Sequence, residues 1–354
     1  MQAKKLFLFV CEAFLLPLLT LMPAKSYAEG NRSVPGSTNL FAAAVISEER
    51  YIVVGDRGRI FVSDDGARTW KAIASATKQP LVSVCFPDDR NGWITGQAGV
   101  ILHSADGGNS WKAQTSGVDS YLLASAFVDG KNGCVAGEDS TVLMTADGGL
   151  TWKKSGFKVA SDADMEEDSG PAAGVNLFAV AMMDAMHLCV AGDKGRIFLS
   201  EDGGESWTEA TSPLYDDETG QGRILYSLAY DSGTLYGVGI DGAFIHSKDR
   251  GKTWQEGSTG LTDPDLYCIG LAGGIGFAAG SEGHVIRTSD GGSTWKVVEV
   301  PEKVTQSWLS GIALKKTGIP VKPNQSGTVC GLLVGQNGTI GHLVDGDVRW
   351  QGIR

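Results

Sequence analysis

The stretch Ser63-Asp64-Asp65-Gly66-Ala67-Arg68-Thr69-Trp70 decides the fold, because copies of it return in phase along the whole chain. They are SADGGNSW from Ser104, TADGGLTW from Thr145, SEDGGESW from Ser200, SKDRGKTW from Ser247 and TSDGGSTW from Thr288. A degraded copy, Leu343 to Trp350, keeps only Asp345 and Trp350. Trp70, Trp111 and Trp152 stand 41 residues apart; the later gaps, to Trp207, Trp254, Trp295 and Trp350, are 55, 47, 41 and 55 residues. Residues 177–209 show what fills each gap. An apolar strand from Leu177 to Met182 meets a turn at Asp184-Ala185, and a second runs from His187 to Ala191. Gly192-Asp193-Lys194-Gly195 turns into a third, Arg196 to Ser200, and Trp207 opens a fourth. Short strands parted by Gly/Asp turns are hairpin signals.

Four strands every ~41 residues is a propeller period, and radial closure removes the edges that an open meander would expose. The expected fold is all-β: a seven-bladed β-propeller of four-stranded antiparallel blades over residues 38–354. Blades are expected at 38–74, 79–116, 119–157, 174–211, 221–258, 264–300 and 305–354, after a linker at 29–37. The recurring residues read as scaffold. The Asp accepts amides across its own turn, the glycines permit φ > 0, the Ser/Thr hydroxyls satisfy backbone groups, and the indole packs the outer strand on its neighbour.

The composition agrees. With 42% hydrophobic and 20% charged residues the chain can build a core, and its 49 glycines follow no triplet period. A net charge of −11 argues against a nucleic-acid partner. Residues 1–28 read as a cleaved signal peptide: Lys4 and Lys5, an apolar run from Leu6 to Met22, then Ser26-Tyr27-Ala28. Its removal takes away Lys4, Lys5, Lys25 and Glu12 and deepens the charge to −13. An exported protein is expected. Cys85, Cys134, Cys189, Cys268 and Cys330 lie far apart among strand residues and read as small buried hydrophobes. Neither they nor the scattered His103, His187, His246, His284 and His342 have ligand spacing, so no metal or cofactor is expected.

The phrase resembles the Asp-box, or BNR, repeat of sialidases and other propellers. The longer unit resembles the photosystem II assembly and stability factor family, on Gly55, Gly58, Ile60, Ser63 and Asp65 and again on Gly192, Gly195, Ile197, Ser200 and Asp202. The resemblance implies a non-catalytic assembly factor in the periplasm or thylakoid lumen, with a membrane-protein complex or assembly intermediate as partner. It also implies an arginine-bearing surface, to which Arg57, Arg59 and Arg196 correspond. Arg223 stands near them on the same face, and the protein is expected to be monomeric. The alternative is a carbohydrate-active propeller, either a glycoside hydrolase or a glycan-binding lectin. A sialidase's Phe/Tyr-Arg-Ile-Pro phrase is absent, and no carboxylate pair is singled out for glycoside hydrolysis.

Departures from the period mark loops free to bind. Residues 155–175 carry Asp162, Asp164, Glu166, Glu167 and Asp168; residues 211–223 carry Tyr215, Asp216, Asp217 and Glu218; residues 315–327 carry Lys315, Lys316 and Lys322. In a four-stranded meander the second hairpin turn and the blade-to-blade connection share one face. The two acidic insertions are therefore expected beside Arg57 and Arg59, and the basic one opposite. The acidic 162–168 run lacks the glycine-centred spacing of a calcium loop.

Overall fold

The computed structural model describes residues 34, 36–158, 174–216, 218–317 and 328–351. Residues 1–28, expected to be a signal peptide, most of the expected linker, the acidic run 162–168, Asp217 and Lys322 lie outside the described residues. Seven four-stranded antiparallel sheets follow one another in chain order. Blade 1 has Leu40–Val45, Tyr51–Gly55, Ile60–Ser63 and Lys71–Ile73 as its strands. The first strands of blades 2 to 7 are Leu81–Cys85, Leu122–Phe127, Leu177–Met182, Leu225–Asp231, Leu266–Ala272 and Leu309–Thr317. Every blade is a contiguous stretch of chain, so no N-terminal strand completes the last one. Among the described residues no helix is long and apolar enough to cross a membrane.

The Asp-box turns hold as the sequence requires. In blade 2 the buried Ser104 Oγ donates to Asp106 Oδ1 at 2.8 Å and accepts the Gly108 amide at 2.8 Å. Asp106 in turn accepts the Ser110 amide at 2.9 Å and hydroxyl at 2.6 Å. Gly107 and Gly108 both have φ near the left-handed region, at 68° and 84°, which explains the paired glycines. Blade 7 has a shorter solution. Asp345 and Gly346, at φ 49° and 90°, make a two-residue hairpin between Val344 and Asp347. Trp350 consequently pairs with Gly341, the register place that Ala72 holds opposite Phe61 in blade 1.

Each tryptophan seals its blade to the one before. Trp111 packs with Ile52, Val54 and Val62 of blade 1, and Trp70 with Leu332 and Val334 of blade 7. Three seams add a polar lock. Gln114 donates to Gly148 O at 2.9 Å while its Oε1 accepts the Trp152 indole N–H at 3.2 Å. Ser155 Oγ donates to Gly204 O at 2.5 Å and accepts from Trp207 at 2.7 Å. Gln351 closes the ring in the same way, donating to Ala67 O and accepting from Trp70 at 3.3 Å. Blade 1 has Ile73 at the place of Gln114, and the buried Trp111 Nε1 beside it has no hydrogen-bond partner. Ile73→Gln is therefore expected to stabilise the protein by about 1 kcal/mol by satisfying that donor. Thermal unfolding checks this, and a lowered midpoint would overturn it.

Of the five cysteines among the described residues, four are buried and Cys85 is partly so, and all are free thiols.

Candidate functional site

One backbone device shapes the propeller's inner end. Gly55, Gly96, Gly137, Gly192, Gly239, Gly280 and Gly335 each end a second strand, and all have the same neighbour. A Cβ on any of them would lie 1.8–2.1 Å from the carbonyl oxygen that precedes the first strand. That carbonyl accepts the amide following the glycine, as in Asp56 N to Asn39 O at 3.0 Å and Ser281 N to Asp265 O at 2.9 Å. The close approach accompanies a bulge in every first strand, which leaves one residue unpaired between Leu40 and Ala42 and at the equivalent places. The bulged residues are Phe41, Val82, Leu123, Phe178, Tyr226, Tyr267 and Ser310.

These residues line the central channel, a cavity of about 230 Å³ walled by the first strands of all blades. They stand where those strands begin, at the mouth. Phe178, Tyr226 and Tyr267 form an aromatic arc across blades 4 to 6, with ring centroids 5.2 and 5.6 Å apart in edge-on contacts. Phe41 stacks on Trp308 across the closing seam at 5.8 Å. In blades 2 and 3 the channel wall is small and polar in places, with Ser83 Oγ 2.8 Å from Ser125 Oγ.

The second hairpin turns surround this mouth. Gly58 fits under Thr77 of the blade 1–2 connection, and the Gly99 amide bonds Ser120 O of the next connection at 2.9 Å. Turns and connections thus share the mouth face. The Asp-box turns bond the first hairpin turns on the other face, as in Gly107 N to Arg90 O at 2.8 Å.

The four arginines singled out by sequence all stand on the mouth face, in two groups. Arg57 is exposed at the left-handed tip of the blade 1 turn (φ 55°) and makes no ion pair among the described residues. Arg59 donates to Thr38 Oγ1 and lies 3.9 Å from Asp56. Arg196 makes a bidentate pair with Glu209 at 2.6 and 2.5 Å and lies over the Phe198 and Tyr215 rings. Arg223 pairs with Glu256 and reaches Asp241 O at 3.3 Å. Tyr215 belongs to a small extra hairpin, Tyr215–Asp216 with Gln221–Gly222. Lys315 and Lys316, expected in a loop, belong to the long first strand of blade 7, and Lys315 Nζ donates to Ile46 O at 2.8 Å on the Asp-box face.

Two carboxyls here have raised pKa values, and burial is the cause at both Glu138 and Asp193. Each accepts an amide at the start of its own first strand, Tyr121 N at 3.3 Å and Asn176 N at 3.0 Å. They are bonded into the scaffold. Burial likewise raises the Tyr226 phenol, helped by Tyr267 and the Asp265, Asp193 and Asp241 carboxylates; Tyr267 is pushed up to about 12 by burial and Asp265. No metal-ligand cluster occurs among the described residues. The sequence reading missed the bulge ring. Its signal was present in the recurring glycine that ends each second strand.

Residues 26–116 match the family model described as "Photosynthesis system II assembly factor YCF48". A solved structure described as YCF48 bound to D1 peptide is similar with a TM-score of 0.63 at 17% identity, covering 91% of this chain and 97% of that one. YCF48 from Cyanidioschyzon merolae gives 0.62 at 18% identity over 88% and 97%. The GH74 enzyme of Niastella koreensis gives 0.61 at 15% identity, covering 91% of this chain and 55% of that one. No curated protein sequence matches the chain. The family resemblance read from the repeats is thus found again by the family model over blades 1 and 2, and the propeller fold by the structural neighbours.

Proposed function

We propose that this protein is a non-catalytic, exported binding scaffold, an assembly or stability factor for a membrane-protein complex in the manner of the photosystem II assembly factors. The observation that carries the reading is the mouth face itself. It joins an aromatic-lined channel to charged turns that differ from blade to blade, whereas the Asp-box turns repeat. A complex of YCF48 with a D1 peptide makes a protein segment the natural occupant. The signal pattern of residues 1–28 supports export.

A hydrolytic reading would need two carboxyls converging on a bound sugar. The residues walling the channel include no carboxylate, and Glu138 and Asp193 are occupied by backbone amides. Arg57, Arg59, Arg196 and Arg223 remain the proposed partner-binding residues, in different roles. Arg57 is placed to reach a partner carboxylate directly, by a fork geometry that pairs well with it. The other three hold the face in shape through their intrachain pairs.

Affinity capture from solubilised membranes tests the reading. Arg57→Glu is expected to weaken capture at least tenfold, about 1.4 kcal/mol, and to flatten its dependence on salt. The thermal midpoint should stay unchanged, because the side chain is exposed and holds nothing. Undiminished capture by the variant would remove Arg57 from the interface.

A further inference from the structure

The channel mouth is not electrically uniform. In blades 4 to 6 the arginines are neutralised at the outer strands, Arg196 by Glu209 and Arg223 by Glu256. At the foot of the arc, Asp265 directly precedes the strand of Tyr267 and accepts the Asp241 amide at 3.1 Å. Asp193 accepts the Asn176 amide at 3.0 Å just before the strand of Phe178. These carboxylates help raise the Tyr226 phenol. Lys194 is the cation on these second hairpin turns apart from Arg196. Blade 1, in contrast, presents the exposed Arg57.

We infer that the aromatic arc Phe178–Tyr226–Tyr267 at the channel mouth receives a cationic side chain, a lysine or arginine carried by a segment of the partner protein. The site rests on the reading of this face as the docking face, and deepens it by naming the chemistry of what docks. Aromatic rings attract cations through their quadrupoles, more strongly where water is displaced. The arc is partly buried in a cavity, and the carboxylates behind it add attraction that a neutral or acidic side chain would not feel. A cation seated in blades 4 to 6 and a carboxylate held by Arg57 in blade 1 would fix the direction in which the segment lies across the mouth.

The experiment uses the full exported chain and one short, otherwise neutral peptide carrying lysine, arginine, norleucine or glutamate at its centre. Binding is read by calorimetry. The lysine and arginine peptides should bind about tenfold or more tightly than norleucine, and glutamate should bind least. Tyr226→Ala should remove that preference, Tyr226→Phe should keep it, and Asp265→Asn should reduce it severalfold. Tyr226→Leu, which fills the same space without a ring, guards against a folding defect and should also lose the preference. Equal affinity for lysine and norleucine would overturn the inference. Failure of the wider reading looks different. A wild-type chain that discriminates the peptides yet captures no membrane protein would keep the cation site and reject the assembly role. Capture that survives Tyr226→Ala intact would keep the role and reject the site.

Discussion

Gly280→Val is expected to destabilise the protein by on the order of 3 kcal/mol, a fall of roughly 4–5 °C in thermal midpoint for a propeller of this size. The glycine is not there for its freedom of φ, since its backbone is extended at φ −166°. It is there for space. A Cβ would stand 1.8 Å from Asp265 O and 2.7 Å from Leu266 Cα, and both are backbone atoms that no rotamer change can move. Relief would require the bulge that carries Tyr267 to open, breaking the Ser281 N to Asp265 O bond of 2.9 Å. Gly117→Ala is the control. That glycine has φ 76° but nothing within 4 Å of an added Cβ, so only the left-handed cost of about 1 kcal/mol applies. Circular dichroism through the melt decides. Equal losses in the two variants would show that the carbonyl approach is not what demands glycine.

This contrast marks how far the sequence could be read. The Asp-box residues were legible because every bond they make closes within a few positions, as Ser104, Asp106, Gly108 and Ser110 do. A local turn is written in local sequence. The tryptophans were legible as packing groups because their period equals the blade, and Trp70 and Trp111 each do cover the preceding blade. The bulge ring was not, since Gly280 meets Asp265 from fifteen positions away and the same glycine also suits an ordinary hairpin. Arg196 and Arg223 looked like free docking charges because Glu209 and Glu256 lie on fourth strands, brought alongside only when the sheets form. The aromatic arc was hidden for a third reason: Phe178, Tyr226 and Tyr267 come from different blades, and a meander says nothing of which residues share the axis.

Acidification from pH 7 to pH 2 is expected to destabilise the protein in two stages, shallow and then steep. Burial lowers the pKa of His103, His246 and His342, so the native state holds them neutral where the unfolded chain would charge them. The unfolded state then binds more protons, and stability declines as pH falls below about 6.5. The steep stage belongs to the Asp boxes. Hydrogen bonds from Ser206, Thr253 and Thr294 hold Asp202, Asp249 and Asp290 down to about 2, against an ordinary value of 3.8. Their contribution is complete above that ordinary value and is lost as pH falls through the folded one. Glu138 and Asp193, raised by burial, act in the opposite sense, but the lowered carboxyls of the boxes outnumber them, so no acid optimum should appear. Thermal midpoints measured across the range test this, with His103→Gln flattening the shallow stage and Asp202→Asn reducing the steep one. A midpoint that stays level between pH 4 and pH 2 would mean that the boxes do not hold their turns as charged acceptors. A variant such as Asp202→Asn that kept its midpoint at pH 7 but lost the membrane partner would place the boxes in the interface instead. The expected result is the reverse, because their carboxylates are spent on amides and hydroxyls of their own turns, on the face opposite the channel mouth.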